Sequence, residues 1–203
     1  MPQAAAKPRP RRSANWQARR DVIVDTSAKV FARQGYHATG INELCTANGL
    51  GKGALYHYIG SKEELLAAIH DRVMDEVIAI GARVEASGGT PPEQLAMLGD
   101  EFLDIIARYP DHVWVFLHEF PALTGGRAKL FHERRDKFEQ QIKRILRAGI
   151  ASGDFRDVDP RLTALAWLGM HNYTYLWLKP KGPLSAHDVA KQFADIFISG
   201  IAR

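Results

Sequence analysis

Apolar residues recur every three or four positions along most of the chain, which is the spacing that places them on one face of an α-helix. The first periodic segment starts near Trp16 and is ended by Gly35. Two short helices are predicted next, over 41–47 and 52–58. No segment alternates with the two-residue period of a β-strand, so the pattern predicts an all-α fold.

Polar and proline residues at expected helix starts divide the rest of the chain. Thr39 is predicted to cap the helix over 41–47, and Ser61, paired with Glu64 in a capping box, begins a long helix after 52–58. Downstream helices are predicted between Thr90 and Tyr109, between Pro110 and Pro121, over 127–151, over about 160–178 and over about 185–201. The predicted total is about nine helices.

Charge is distributed unevenly, although the net formal charge is only +4. Residues 1–62 carry ten Lys and Arg against three acidic residues, which makes this third +7 and leaves −3 for the remainder. Residues 1–14 are rich in proline, alanine and arginine without periodicity, and are predicted to form a disordered basic arm. A basic first third indicates a polyanionic partner for that part of the chain.

Composition and motif content disfavour several other classes of protein. No window approaches the roughly 18 consecutive apolar residues of a membrane span, and the N-terminus lacks the apolar core of a secretory signal. The single cysteine, Cys45, excludes an internal disulfide framework and fits a reducing cytoplasm. The chain has no His-x-x-x-His, Glu-x-x-His, Walker A or Gly-x-Ser-x-Gly motif. We therefore predict no metal site, no cofactor, no enzymatic activity and no membrane association.

The stretch over 49–65, GLGKGALYHYIGSKEEL, fits two structures with different functions. Its glycines match the G-x-G-x-x-G/A pattern of a dinucleotide-binding loop, which requires a preceding strand and a parallel sheet. The residues before Gly49 are INELCTAN, which is helical in pattern, and no parallel strands are available. The alternative is a helix-turn-helix in which Leu44 and Leu55 pack the two short helices together. The sequence favours this second interpretation.

Residue types along the second short helix suit contact with DNA. The small residues Gly51, Gly53 and Ala54 let its N-terminus approach base edges and phosphates, and Lys52 can reach a guanine edge or a phosphate. Tyr56, His57 and Tyr58 offer donors to phosphate oxygens, and Lys62 lies in a first helical turn, where a cation is favoured only beside an anion. The arm residues Arg9, Arg11 and Arg12 are expected to add nonspecific attraction to DNA, with minor-groove insertion left open.

The segment beginning at Thr39 (TGINEL, then GLGKGALYHYIGSKEELL) resembles the DNA-binding domain of the TetR family of bacterial repressors. The family usually has serine where this chain has Gly51, and phenylalanine where it has Ile59. The resemblance implies that Lys52 and Gly53 read bases, and that the DNA backbone is held by Thr39, Tyr56, His57, Tyr58 and Lys62. It also implies a helix-turn-helix domain over 15–62 and a domain for ligand binding and dimerisation over 63–203.

The second domain is rich in large apolar side chains, and bundle interiors are where apolar ligands bind. Candidate ligand-binding residues are Phe102, Ile106, Trp114, Leu117, Phe120, Trp167 and His171. His118, Glu119 and Asn172 are candidates for the polar contacts of the same ligand. Most of the remaining large apolar residues are expected to be ordinary core.

The family resemblance also predicts partners. The helices over about 160–201 are similar to the pair through which the family forms homodimers, and a dimer can engage a palindromic operator on double-stranded DNA. The last segment, WLKPKGPLSAHDVAKQFADIFISGI, is similar in pattern to TetR-family repressors of sterol and fatty-acid breakdown in actinobacteria, which sense acyl-CoA thioesters. Candidate cations for the CoA phosphates are Arg161, Lys179, Arg134, Arg135, Lys143, Arg144 and Arg147.

The function predicted from the sequence is a transcriptional repressor that a small apolar ligand, or an acyl-CoA, releases from its operator. Two alternatives remain open at this point. One is a DNA-binding regulator that has no small-molecule effector, and the other is an activator.

Overall fold

The computed structural model describes residues 13–179 and 181–203, and the helices account for most of them. They are α1 (Ala14–Gln34), α2 (Ile41–Asn48), α3 (Lys52–Ile59), α4 (Lys62–Ala86), α5 (Pro91–Arg108), α6 (Pro110–His118), α7 (Gly125–Ser152), α8 (Pro160–Asn172) and α9 (Ala186–Ile201). Within these residues the β-structure is a single isolated bridge between Phe155 and Ala202. The predicted all-α fold of about nine helices is confirmed.

The N-terminal helix begins earlier than its apolar periodicity indicated. The Ser13 side chain accepts a hydrogen bond from the Trp16 amide at 3.3 Å, and α1 begins at Ala14. Gly35 ends the helix as predicted, with a φ of 86° that favours glycine. The rest of the predicted basic arm, residues 1–12 with Arg9, Arg11 and Arg12, lies outside the described residues.

The predicted N-cap of α2 was wrong by one residue. Gly40 occupies the N-cap, and its amide donates to the Glu43 carboxylate at 2.7 Å. The Thr39 side chain is instead buried, and its hydroxyl donates to the Gly35 carbonyl at 2.7 Å. The carbonyl groups at the end of a helix need hydrogen-bond donors from outside the helix. Thr39 supplies such a donor to the Gly35 carbonyl and so stabilises the turn after α1.

Helix α8 also ends before its predicted end near 178. It stops at Asn172 and is followed by a 3-10 turn over Tyr173–Leu176. The Thr174 hydroxyl donates to the His171 carbonyl at 2.7 Å, and the His171 ring bonds the Trp167 carbonyl at 2.8 Å. The Thr174 hydroxyl thus occupies a carbonyl group that a continuing helix would need.

Two hydrophobic cores divide the molecule, and α4 contributes to both. Leu65, Leu66 and Ile69, in the first turns of α4, belong to a core shared with α1, α2 and α3. Val73 and Val77, further along the same helix, belong to the larger core shared with α5, α7, α8 and α9. A single helix therefore connects the small N-terminal three-helix unit to the C-terminal bundle.

Helix α6 packs against α1 and provides a second connection between these parts. At its C-terminal end the Glu119 carboxylate accepts a hydrogen bond from the Tyr36 amide at 3.0 Å. Near its start the buried His112 ring lies 3.1 Å from the Asp25 carboxylate of α1, without the alignment of a hydrogen bond. Burial lowers the pKa of His112, although the nearby Asp25 opposes that shift. The two ends of α6 therefore both touch the N-terminal unit.

Candidate DNA-binding surface and ligand cavity

Helices α2 and α3 form a compact helix-turn-helix. Leu44 and Leu55 are fully buried between the helices, as predicted. Gly49 ends α2 in the left-handed conformation, with a φ of 62°. The side-chain amide of Asn48 donates to the Leu44 carbonyl at 2.8 Å and to the Ser27 hydroxyl of α1 at 3.3 Å. The turn is thus tied to α1, which fixes the direction in which α3 leaves it.

The start of α3 is exposed to solvent and consists mainly of residues with small side chains. Gly51, Lys52, Gly53 and Ala54 are all exposed. A Cβ atom added at Gly51 or Gly53 would meet no atom within 4 Å, so packing within the protein does not require glycine at either position. Gly51 is the N-cap and offers no side-chain cap, which leaves the first amides of α3 open to an anion.

The end of α3 is held by an aromatic contact with α1 that the sequence did not reveal. The Trp16 ring stacks on Tyr58 with centroids 5.5 Å apart, and its indole N–H donates to His57 Nε2 at 3.2 Å. Tyr58 is half-buried as a result, whereas Tyr56 and His57 are exposed. Trp16 marked only the start of helical periodicity in the sequence, because nothing local links it to residues more than forty positions away.

Lys62, in the first turn of α4, is half-buried beside the turn after α1. Its ammonium group lies over the Tyr36 ring, 4.3 Å from the centroid. Burial lowers the pKa of Lys62, and the nearby carboxylates of Glu119 and Glu43 oppose that shift. Of the nine residues predicted to bind DNA, Thr39, His57, Tyr58 and Lys62 therefore already have contacts within the protein. The other five, Gly51, Lys52, Gly53, Ala54 and Tyr56, are exposed at the N-cap of α3 or along it.

A cavity of about 440 Å³ lies between α4, α5, α6, α7 and α8. Its apolar wall consists of Val73, Met74, Val77, Phe102, Ile105, Ile106, Val113, Phe116, Leu117, Phe138, Leu165 and Leu168. The polar lining comes from α7 and from Asn172 at the end of α8. Most of these α7 residues are exposed, so the cavity opens to solvent between α7 and α8.

The cavity includes three of the seven predicted ligand-binding residues, Phe102, Ile106 and Leu117, together with the polar candidate Asn172. The sequence did not reveal that Val73, Met74 and Val77 of α4 line the cavity. The spacing of apolar residues along a helix is the same whether they face a cavity or a filled core. The residues predicted from the sequence thus include only part of the lining of this cavity.

Four predicted ligand-binding residues lie elsewhere. Trp167 and His171 are buried and stack on one another with centroids 3.9 Å apart, which makes them core. Trp114 stacks on His118, and Phe120 stacks on Phe131. Both of these half-buried rings pack against the core of the N-terminal unit.

The polar candidates His118 and Glu119 do not line the cavity either. His118 stacks on Trp114, and Glu119 accepts a hydrogen bond from the Tyr36 amide. Periodicity cannot separate these positions, because α6 has two buried faces.

Charged groups of α7 surround the mouth of the cavity. Arg135, Asp136, Glu139 and His132 all contribute to its lining. The Glu139 carboxylate is paired with Lys143 at 2.7 Å. In the part of the chain that the structure describes, no carboxylate lies within ion-pair distance of Arg135, whose guanidinium instead lies near the rings of Phe120 and Phe131. Arg135 is thus a cation available to a ligand.

Two other α7 cations named from the sequence are already paired with carboxylates of α4. Arg134 bonds Asp71 at 2.8 Å and also Asp75, and Arg144 bonds Glu85. Positive charge at Arg134 and Arg144 therefore stabilises the packing of α7 against α4.

Large apolar side chains remain exposed near the C-terminus. Leu162 of α8, Tyr173 after it and Ile196 of α9 are 65%, 63% and 57% exposed. They fall within the predicted dimerisation region over 160–201. An apolar surface of this kind on a single chain is typical of a face that a second subunit covers.

Comparison with known proteins identifies the class defined by this fold and site. Residues 23–69 match the family described as bacterial regulatory proteins of the tetR family, and residues 88–201 match the tetracyclin repressor-like C-terminal domain. The chain belongs to the TetR family. As a member of this family it is a transcriptional regulator that binds operator DNA as a dimer. No helix in the described residues is long and apolar enough to cross a membrane.

Individual regulators of known sequence or structure resemble this chain over almost its whole length. The HTH-type transcriptional repressor KstR2 of Mycolicibacterium smegmatis is 28% identical over 92% of both chains. The solved structure of the ketosteroid transcriptional regulator KstR2 of Mycobacterium tuberculosis is 27% identical, with a TM-score of 0.86 over 91% of this chain and 95% of that one. The structure of AibR in complex with isovaleryl coenzyme A and operator DNA is 30% identical, with a TM-score of 0.76 over 91% and 98%.

Proposed function

We propose that this regulator is a repressor that an acyl-CoA thioester releases from its operator. The observation that carries the proposal is the cavity, which combines an apolar interior with the unpaired Arg135 at its mouth. Helix α3 supplies the DNA contacts through Gly51, Lys52, Gly53, Ala54, Tyr56 and His57. The acyl group occupies the cavity between α4 and α8, and the CoA moiety lies outside it along α7.

The cavity is of the right size and lining for the acyl part of such a ligand. Its volume of about 440 Å³ lies within the range of about 300 to 1,000 Å³ common for small-molecule pockets. Phe102, Ile106 and Leu117 give an apolar interior that would exclude a charged carboxylate or phosphate. A thioester is neutral and can lie within this interior, whereas the carboxylate of a free fatty acid at the same position would lose its hydration.

Arg135 is placed to recognise the anionic part of the ligand. Its guanidinium forms charge-assisted hydrogen bonds with phosphates, and it gives up no ion pair in order to do so. His132, one turn earlier on α7, lines the same mouth. Asp136 and Glu139 repel phosphate there, although Lys143 neutralises Glu139, so the phosphates are expected on the Arg135 side.

The relatives support both parts of the proposal. KstR2 is named as a repressor, and AibR has been solved with a coenzyme A thioester and operator DNA. Both cover more than nine-tenths of this chain.

Ligand binding can reach the DNA-binding unit through α6. Val113, Phe116 and Leu117 of this helix line the cavity, while Glu119 at its end bonds the Tyr36 amide. A ligand that shifts α6 changes the position of the turn between α1 and α2. Coupling of about 1–3 kcal/mol, typical between two sites, would lower operator affinity by about five- to 150-fold.

The proposal is tested by fluorescence anisotropy with the DNA upstream of the protein's own gene. Acyl-CoAs of increasing chain length are compared with free CoA and with the corresponding free acids. Release of DNA by acyl-CoAs at micromolar concentration, with free CoA and free acids far weaker, is the expected result. Operator binding that is indifferent to every acyl-CoA would disprove this class of effector.

A substitution at the cavity mouth gives a second test. Arg135→Ala is expected to raise the acyl-CoA concentration needed for release by about 10- to 150-fold, since one charge-assisted phosphate contact contributes about 1.5–3 kcal/mol. Lys137→Ala is the matched control, because Lys137 is an exposed cation of the same helix that does not line the cavity. Equal responses of the two variants would remove Arg135 from the binding site.

A further inference from the structure

His70 is a buried histidine on α4 that lies next to the ligand cavity. It is 2% exposed and packs between two rings, with centroids 5.7 Å from Phe116 and 5.1 Å from Phe131. Neither of its ring nitrogens has a hydrogen-bond partner among the described residues. Buried polar groups are paired in the great majority of cases, so an imidazole with two unpaired nitrogens requires an explanation.

Neither ordinary packing nor a single water provides that explanation. His171, buried to a similar extent, bonds the Trp167 carbonyl at 2.8 Å and shows what a core histidine in this fold does. A cleft of about 10 Å³ beside His70, between α4 and α7, has the size of one water. One water can pair with only one of the two nitrogens, because they point away from each other.

The ligand cavity lies one layer of side chains from His70. Met74, one turn further along α4, borders both the small cleft and the main cavity. Phe116, whose ring packs on His70, also lines the main cavity. Phe116 is half-buried, and its ring is a contact that the imidazole and the cavity have in common.

We propose that His70 is a specificity-determining residue that hydrogen-bonds an oxygen near the distal end of the effector's acyl group. The inference rests on the proposed acyl-CoA response and narrows it to acyl groups that carry a ketone or a hydroxyl group far from the thioester. Phe116 separates His70 from the cavity and moves aside when such a ligand enters.

The chemistry of the imidazole selects this class of oxygen. Burial lowers the pKa of His70 to about 3, so the ring is neutral at physiological pH, with one donor and one acceptor nitrogen. A ketone accepts a hydrogen bond from the donor nitrogen, and a hydroxyl group can pair with either nitrogen. A carboxylate would bring an unpaired charge into an aromatic cluster, which disfavours it. A plain hydrocarbon chain would leave both nitrogens unpaired.

The test compares matched ligands on the full-length protein. Straight-chain acyl-CoAs with about six to ten acyl carbons fit a pocket of this volume. Each is compared with its derivative that carries a ketone on the carbon next to the end of the acyl chain. The concentration that releases half of the operator DNA is measured for each member. For at least one chain length, the oxo compound is expected to act at a concentration about tenfold lower, equivalent to about 1.4 kcal/mol.

Variants at position 70 assign the difference to His70. The ratio of the two potencies is measured within each variant, so that a change in overall affinity cancels. His70→Leu is expected to bring the ratio close to one, and His70→Gln, which keeps a donor and an acceptor, is expected to restore part of it. His70→Leu is also expected to raise the melting temperature of the ligand-free protein, whereas His171→Leu lowers it, because only His171 has a partner to lose.

The outcomes separate this inference from the function on which it rests. Equal potency of plain and oxo compounds in the unmodified protein would overturn the role of His70 and leave the acyl-CoA response intact. A preference for oxo compounds that survives His70→Leu would also overturn it. No release by any acyl-CoA would remove the proposed effector class, and the inference with it.

Discussion

Single residues at the start of α3 carry the most direct consequences for DNA binding. Lys52 is exposed, follows the N-cap and has small neighbours on both sides, so its side chain can extend without obstruction. Gly51, where the family usually has serine, leaves α3 without a side-chain cap. Lys52 is therefore the side chain at this helix terminus with the longest reach toward DNA.

Replacement of Lys52 tests this placement. Lys52→Ala is expected to weaken operator binding by about 1–3 kcal/mol if the lysine contacts a base, with relaxed specificity at one position of the operator. If the contact is to a phosphate, the loss is uniform across sequences and the salt dependence falls by about one unit. Anisotropy titrations at several salt concentrations distinguish the two. Arg156→Ala, in the loop after α7, is the charge-matched control, and equal losses in both variants would contradict a specific role for Lys52.

At the scale of elements, α6 is the helix that touches both functional parts. One of its faces lines the cavity, and its two ends contact α1 and the turn after α1. The sequence showed a short apolar helix between two prolines and gave no indication of this dual role. Helix α4 also connects the two cores, because residues along its length belong to both of them.

Glu119 allows the role of α6 to be measured. Glu119→Ala leaves the Tyr36 amide without its partner and is expected to reduce, by at least about threefold, the factor by which an acyl-CoA lowers DNA affinity. Glu133→Ala, an exposed carboxylate of α7, is the matched control. The measurement is operator affinity with and without saturating ligand. An unchanged factor would assign the coupling to α4 alone.

For the whole molecule, two buried histidines predict instability in acid. Burial lowers the pKa of His70 to about 3 and that of His171 to about 4, from an ordinary value of 6.5. Below pH 6.5 the unfolded chain binds protons at these positions more readily than the folded one. The histidines thus destabilise the fold as the pH falls toward 4, each by about 1.4 kcal/mol per pH unit, and have no effect above pH 6.5.

Urea unfolding at a series of pH values and a fixed protomer concentration measures this effect. His70→Leu is expected to make the dependence of the unfolding free energy on pH shallower between pH 6.5 and 4. His37→Gln, which replaces an exposed histidine, is the matched control. A slope that is the same in all three proteins would show that His70 is not buried in its neutral form. Protein concentration is fixed because subunit association contributes to the stability of a dimer.

The sequence by itself determined the helices, the helix-turn-helix and the family. These depend on local rules: apolar spacing sets helix faces, Ser61 and Ser185 cap α4 and α9, and Gly35 and Gly49 end α1 and α2. The exposed residues at the start of α3 were predicted for the same reason, since their position follows from the turn before them.

Only the tertiary structure decided which apolar residues face the cavity and which are core. Phe102 lines the cavity and Trp167 does not, although both are buried aromatic residues within helices, because that distinction depends on how five helices pack together. The Trp16–His57 contact, the bond from the Tyr36 amide to Glu119 and the unpaired ring of His70 likewise join or isolate groups far apart in the chain. Local spacing contains no information about such contacts, because three-dimensional packing alone brings these residues together.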